Sequence, residues 1–346
     1  MRWLGRLLLG LVGAVLLLLT PVIAVELTCR GGPMAEQGES LLPPEWQRPE
    51  SRTLLTYPEW HIVHAYDDYA AVIAEGDPHD YGYLRAIAGF WQALCPLKEQ
   101  AETMGPVTFD TKLTIYTIGV SFTAELLAKA AYEETLGRLA TWIRGEERAP
   151  LDSISARQAK DYARFLKQVP WYRWDFDENR IDLAISATDA FRDRERRIAL
   201  GLEYAAKGAY ARVLSAAMAG MVPDALRLRA VVTGETAEML ARINGVDVID
   251  SLPEGVVIET DRYRLFTLVV QRLAARRVDF VEIAGNDEIL FTALSDRPTE
   301  DGALYSFPRQ ARDDYRHLFV VSVGDLTDIV QPLDMEGLRL EHVHDY

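Results

Sequence analysis

The stretch Leu7–Val25, LLLGLVGAVLLLLTPVIAV, decides in which compartment the rest of the chain folds. It carries no charge, and as a helix its residues would span roughly 28 Å, close to the hydrocarbon thickness of a bilayer. Arg2 and Arg6 precede it and Glu26 follows it, so the positive-inside rule keeps the N-terminus in the cytoplasm. We therefore predict a single transmembrane helix within residues 1–28 that anchors the protein in a bacterial inner membrane, with its body in the periplasm.

A cleaved secretory signal is the alternative interpretation of this stretch. Residues 22–24 end in an alanine and offer a site of the kind that a signal peptidase reads. Cleaved signals usually have an apolar core of about 7–15 residues, and this run is longer, which favours an anchor. Both interpretations export the body of the protein.

The composition is that of a folded, acidic protein. Hydrophobic residues make up 49% of the 346 positions, which is ordinary for a globular protein, and the length is enough for two domains. The net charge of −15 argues against a nucleic-acid partner, because phosphates bind patches of Lys and Arg. We expect the membrane to be bound through the N-terminal helix and not through surface charge.

The chain has two cysteines, Cys29 and Cys95, both beyond the predicted anchor. An even count in an oxidising compartment predicts a disulfide between them. The alternative is two separate thiols, with Cys95 as a small apolar core residue. Neither interpretation leaves enough thiolates for a zinc or iron–sulfur site.

Pro and Gly residues separate the anchor from the first folded region, which predicts a linker over residues 29–52. Residues 53–222 contain five segments with helical spacing of apolar residues, which predicts an α-helical bundle domain. Pro96 is expected to end the second helix, and Gly119 is a position where the third can bend. The charge alternation of Arg192–Arg197 predicts an exposed helix surface with internal ion pairs.

After Pro223 the pattern changes to short strands and helices in the order β-α-β-β-α-β. This order is that of a ferredoxin-like sandwich, and three further apolar runs are expected to extend its sheet. The predicted fold class is therefore α+β: a transmembrane helix, a helical bundle, and a C-terminal α/β sandwich of ferredoxin-like type with extra strands over residues 223–346.

The best candidate metal ligands lie near the start of the helical region. On a helix, His61 and His64 share a face and Asp68 follows one turn later, so two imidazoles and a carboxylate could converge on an ion. A further ligand could come from His79 or from His342 and His344, which share one face of a strand. The alternative is histidines that form hydrogen bonds within the bundle.

Aromatic residues form the second candidate site. Trp171, Tyr172 and Trp174 surround an arginine, and Trp60 could extend the same surface. Such a group is typical of a stacking pocket or of a contact surface for a partner. The alternative is a loop that packs between the two domains.

Motifs for common enzymes are absent from the sequence. Residues 119–123 fail the Gly-x-Ser-x-Gly pattern at its last position, and no Walker loop or Gly-x-Gly-x-x-Gly occurs. We therefore favour a single-pass envelope protein that binds or assembles with a protein partner, and we predict no cofactor. The alternatives are a metal-dependent hydrolase that uses His61, His64 and Asp68, and a small-molecule sensor with an aromatic cleft.

Overall fold

The computed structural model describes residues 2–34, 38–218 and 226–345. Its α-helices are α1 (Arg2–Thr28), α2 (Glu50–Leu54), α3 (Tyr57–Glu75), α4 (Tyr83–Met104), α5 (Phe109–Tyr132), α6 (Arg138–Arg144), α7 (Pro150–Leu166), α8 (Phe176–Ser186), α9 (Phe191–Met218), α10 (Ala237–Leu240), α11 (Arg264–Ala274) and α12 (Leu326–Val330). Its strands are β1 (Arg227–Thr233), β2 (Asp247–Leu252), β3 (Gly255–Asp261), β4 (Asp279–Ile283), β5 (Glu288–Ser295), β6 (Tyr305–Pro308), β7 (Tyr315–Ser322) and β8 (Arg339–His344). The protein is therefore α+β, as the sequence predicts.

Helix α1 contacts the body through one face near its C-terminal end. Val25 and the following Cys29 are buried there, whereas Leu9, Leu17 and Ile23 on other faces are exposed. Within the described residues, no helix reaches the length and apolar character that a membrane crossing requires. Several side chains of the predicted span, such as that of Leu7, lie outside the described part, and the transmembrane assignment stays a prediction.

The disulfide between Cys29 and Cys95 is present, which confirms the predicted pairing. It connects the residue that follows α1 to the middle of α4. Lys98 adds a hydrogen bond of 2.6 Å from its Nζ to the Cys29 carbonyl oxygen. The end of α1 is therefore attached to α4 by both a covalent and a polar contact.

The helical region differs from the prediction at two points that matter for packing. Helix α4 continues through Pro96, because Leu94 and Leu97 on either side are fully buried and their packing outweighs the cost of the proline. Arg192 and Arg196 of α9 are 1% exposed, so the prediction of an exposed surface is wrong for them. They are buried because acidic residues of neighbouring segments, such as Asp152 and Glu133, pair with them.

The C-terminal region contains two four-stranded antiparallel sheets. The first has the strand order β2-β3-β1-β4 and the second β6-β7-β5-β8. The expectation that the later strands extend one sheet is therefore wrong. Ala284 and Gly285 adopt positive φ angles of 50° and 86° in the tight turn after β4, and β5 leaves that turn to pair with β7 and β8 instead.

The second sheet is buried on both faces. In β7, Leu318 belongs to the core of the helical region, whereas Phe319 packs against the core of the sheets. In β5, Leu290 belongs to the core of the helical region and Phe291 to the core of the sheets. This alternation follows from the two-residue period of a strand, and it brings β8 next to the helices.

The residues predicted as a linker pack onto the first sheet where the structure describes them. The carboxylate of the buried Glu282 accepts hydrogen bonds from the Ser40 hydroxyl and from the backbone N–H groups of Leu41 and Leu42. Trp46 stacks under the guanidinium of Arg229 at 3.9 Å. The predicted domain boundaries stay a prediction.

Candidate functional site

Helix α3 and strand β8 together form a buried group of polar side chains. The helical spacing of Tyr57, Trp60 and His64 places them near one another, and the strand period places His342 and His344 on one face of β8. The Trp60 ring lies 3.5 Å from the His342 ring, 5.7 Å from that of His344 and 5.9 Å from that of His64, measured between centroids. We call these five residues the histidine cluster.

Most polar atoms of the histidine cluster lack a hydrogen-bond partner among the described residues. Both ring nitrogens of His64 and of His344, the Nε2 of His342 and the hydroxyl of Tyr57 are buried without one. The other nitrogen of His342, Nδ1, lies 3.0 Å from Thr267 Oγ1, which also accepts a hydrogen bond from the Val343 N–H.

The energetic cost of such atoms is large. One buried polar group without a partner costs about 1–3 kcal/mol, so six would cost on the order of 6–18 kcal/mol. The free energy of folding of a typical domain is about 5–15 kcal/mol. The histidine cluster is therefore suited to a bound species that supplies the partners.

An ion pair borders the cluster. The Nε and Nη2 atoms of Arg316 donate to the two carboxylate oxygens of Glu341 at 2.5 and 2.7 Å. Burial by itself raises the pKa of Glu341, but the Arg316 guanidinium holds that pKa well below its ordinary value. Glu341 Oε1 also lies 3.7 Å from His64 Nδ1.

Burial keeps the histidines of the cluster neutral. It lowers the pKa of His344 to about 3, and together with the Arg316 charge it lowers the pKa of His64 well below the ordinary value. The pKa of His342 is also well below that value, because of burial and of the neighbouring His344. Neutral imidazole is the form that binds metal ions.

The three predicted metal ligands are buried, and two of them bond to backbone groups outside the histidine cluster. His61 Nε2 lies 3.0 Å from the Ala86 carbonyl oxygen, and its ring packs on Phe90. Asp68 Oδ2 accepts a hydrogen bond from the Gln310 N–H. His64 belongs instead to the histidine cluster. Metal binding by His61, His64 and Asp68 as one set stays a prediction.

Compact sets of potential ligands exist elsewhere in the described part of the chain. Two sets have donor atoms that all lie within 4.8 Å of one another: Cys29, Cys95 and Glu99, and Asp77, His79 and Asp80. The disulfide occupies the cysteines of the first set. In the second, Arg144 binds both oxygens of Asp77, which opposes a cation there.

The predicted aromatic residues Trp171, Tyr172 and Trp174 are partly buried, and Trp60 lies in the histidine cluster. Trp171 packs on Tyr210, with 5.3 Å between ring centroids. Trp174 lines a cavity of about 30 Å³, and a cavity of that size has room for roughly two water molecules. In this conformation the cavity is too small for a sugar ring.

Three charged side chains that the sequence did not indicate, those of Lys129, Glu203 and Lys207, line the same cavity, and Glu125 pairs with them. Lys207 Nζ lies 2.8 Å from Glu125 and 3.0 Å from Glu203, and Lys129 Nζ lies 2.9 Å from Glu203. The hydroxyl of Tyr66 donates to Glu125 at 2.7 Å. The carboxylates hold the pKa of both lysines well above the ordinary value, although burial opposes this.

The sequence contained only a weak signal for this group. Glu125 and Lys129 lie four residues apart on α5, as do Glu203 and Lys207 on α9, and each pair by itself looks like an ordinary surface ion pair. Nothing local indicates that the two pairs face each other. The positive and negative charges balance, so the cavity has no excess charge with which to attract an ion.

Arg316 and Glu341 were also missed, because they lie on different strands and neither belongs to a recognisable motif. The alternation of His342 and His344 was the detectable signal for the histidine cluster.

No protein-family model matches this chain, and neither does any curated protein or solved structure.

Proposed function

We propose that this chain is a single-pass envelope protein, anchored by α1 in a bacterial inner membrane, whose periplasmic body binds or assembles with a protein partner. The observation that carries the proposal is the apolar character of α1 on every described face. Leu16, Leu19 and Leu27 are exposed on faces turned away from the body, while Val25 is buried against it. A helix that is apolar all round requires a protein core or a bilayer around it.

The contacts at the end of α1 support a fixed orientation of the body. Glu26 forms an ion pair of 3.1 Å with Lys112 and accepts a hydrogen bond from the Tyr116 hydroxyl. Together with the disulfide between Cys29 and Cys95, these contacts attach α1 directly to α4 and α5. A partner in the same membrane would then meet one defined surface of the body.

The disulfide also supports an exported body. Stable disulfides are typical of the periplasm and other oxidising compartments and are rare in the reducing cytosol. The pairing of Cys29 with Cys95 therefore agrees with the topology that the charges around the apolar run predict.

A cluster of exposed apolar side chains supports a protein partner. Leu136, Leu139, Trp142 and Ile143 all lie within eight residues at and before α6, and Trp142 is 79% exposed. Single exposed apolar residues are normal, but a group that includes a tryptophan is typical of binding surfaces. We propose that this group, the α6 surface, contacts the partner.

A ferredoxin-like assignment of the first sheet is part of the same proposal. The elements β1, α10, β2, β3, α11 and β4 follow the β-α-β-β-α-β order of that unit. Their strand order β2-β3-β1-β4 is antiparallel throughout.

The anchor is tested by membrane fractionation. The full chain is expected to stay in the membrane pellet after an alkaline carbonate wash. A chain that starts at Leu18 behind a cleavable export signal is expected in the soluble periplasmic fraction with its disulfide formed. Release of the full chain by carbonate would contradict the anchor.

The partner is tested by photo-crosslinking in intact cells. A photoreactive amino acid at Trp142 is expected to yield a discrete adduct with an envelope protein. The control position is Met335, which is 84% exposed but lies in the C-terminal region. Absence of an adduct from position 142, or the same adduct from both positions, would refute the proposed surface.

A further inference from the structure

We propose that His64, His342 and His344 form a binding site for one divalent transition-metal ion, of the kind that zinc represents, between α3 and β8. This inference is independent of the proposed anchor and partner. It also differs from the ligand set that the sequence predicts, because His61 Nε2 and Asp68 Oδ2 bond to the backbone of Ala86 and Gln310 outside the histidine cluster.

The donor atoms are of the right type. Five of the six ring nitrogens of these histidines are buried and have no hydrogen-bond partner in the described ranges. Three neutral imidazoles are a ligand set that zinc binds in catalytic sites, where a fourth position holds water or another oxygen ligand. The hydroxyl of Tyr57 has no partner among the described residues either, and the Tyr57 and His344 rings lie 5.5 Å apart.

The sixth nitrogen has the partner that a metal ligand usually has. His342 Nδ1 lies 3.0 Å from Thr267 Oγ1, which orients the ring and leaves Nε2 for an ion. Glu341 lies 3.7 Å from His64 and already neutralises Arg316, so the arginine charge next to the site is compensated. Metal-binding histidines usually have such a hydrogen-bond partner or a nearby carboxylate next to the ring.

Water is the competing occupant of the cluster. Water would satisfy the same polar atoms, but three neutral imidazoles together are a ligand set that is typical of zinc. The three rings are spaced more widely than a bound ion requires, since they are not among the sets whose donor atoms all lie within 4.8 Å. Binding must therefore bring the three rings closer together, and the test measures metal uptake directly.

The test uses the full chain in detergent, purified without a polyhistidine tag and stripped with a chelator. Titration with Co²⁺ is expected to give one equivalent of visible d–d absorption typical of imidazole ligands, which one equivalent of Zn²⁺ abolishes. No absorption, or only weak binding that does not saturate at one equivalent, would overturn the proposal in favour of water.

Matched variants locate the ion. His344→Gln is expected to abolish the Co²⁺ spectrum. His317→Gln is expected to leave it unchanged, because His317 is equally buried but both of its ring nitrogens are bonded to Ser295 and Ser306. An unchanged spectrum in His344→Gln would overturn the site.

A milder variant covers the case in which His344→Gln does not fold. Thr267→Val removes the hydroxyl that contacts His342 and accepts a hydrogen bond from the Val343 N–H, and it keeps all three imidazoles in the chain. Loss of such a supporting group typically weakens metal affinity by about 10- to 100-fold. We expect that loss in the Co²⁺ titration, and an unchanged affinity would count against His342 as a ligand.

Discussion

His317 and His344 are both completely buried, yet only His317 has a hydrogen-bond partner for each ring nitrogen. Arg316 is buried as well, and it is paired with Glu341. Burial is therefore ordinary for the ionisable residues of this protein, and His344 differs from His317 in its lack of partners. The sequence offered His342 and His344 as further ligands beside His64, and the structure brings the three into one cluster around Trp60.

His61, which lies outside the histidine cluster, predicts that the protein loses stability in acid. Burial lowers the pKa of His61 to about 4, below its ordinary value of 6.5, although a hydrogen bond to Ala86 opposes the shift. The unfolded chain therefore binds a proton first, and stability that is complete above pH 6.5 falls as the pH drops toward 4. The loss through His61 should be about 3 kcal/mol.

The control for this prediction is His61→Gln, which keeps a donor for Ala86 and cannot titrate. Asp68 and Asp345 act in the opposite direction, because burial raises their pKa values to about 6 and about 7, and both remain in the variant. Unfolding free energies from denaturant titrations at several pH values between 7.5 and 4.5 measure the difference. Equal slopes for the two proteins would contradict the prediction.

Adjacent arginines of α9 give a second residue-scale prediction. Arg196 pairs with Glu133 at 2.9 Å and is 1% exposed, whereas Arg197 is exposed. Arg196→Ala leaves Glu133 as a buried, unpaired charge and should lower the unfolding free energy by about 3–5 kcal/mol. Arg197→Ala should change it by less than about 0.5 kcal/mol. Denaturant unfolding measures the unfolding free energy of both variants. Similar losses in Arg196→Ala and Arg197→Ala would contradict a stabilising role of the buried ion pair.

At the scale of elements, the contact between α4 and α5 depends on a glycine. From the sequence, Gly119 is a position where the helix can bend. In the structure it lies opposite Phe90 and Trp91, and a methyl group at its Cα would come within 2.5 Å of the Phe90 ring and 2.8 Å of the Trp91 ring. Its small size allows the two helices to approach closely. Local sequence could not indicate this, because the two aromatic rings belong to another helix.

This contact reverses the usual effect of replacing glycine in a helix. Gly119→Ala should destabilise the protein by about 1–3 kcal/mol, because the added methyl group overpacks the core. Gly201 in α9 is the matched control: apart from the backbone of its own helix, no atom of the described residues lies within 4 Å of its added methyl group. Gly201→Ala should stabilise by up to about 1 kcal/mol through helix propensity. Thermal unfolding measures both, and the same sign of change in both variants would contradict the packing argument.

At the scale of the whole molecule, the second sheet joins the helical region to the first sheet. Leu290 and Leu318 lie in the same apolar core as Phe90 and Leu97 of α4. The other faces of β5 and β7 lie in the core formed with α11 and the first sheet. The sequence predicted a boundary near residue 222, but the shared cores predict that the two regions are stable only together.

We therefore expect the full chain in detergent to unfold as one cooperative unit. Hydrogen exchange read by mass spectrometry at increasing denaturant is expected to show the same midpoint for peptides of α4 and of β7. The physical reason is that loss of the helical region exposes one whole face of the second sheet to water. Protection of β7 after α4 has exchanged would show that the C-terminal region is an independent domain.

The sequence by itself determined the elements that depend on neighbouring residues. The apolar runs of most strands express local backbone preferences, and two cysteines allow only one disulfide within the chain. Only the tertiary structure decided the burial of Arg196, the separate second sheet and the meeting of His64 with β8. These depend on contacts between residues far apart in the chain, and such contacts leave no periodic signal in the sequence.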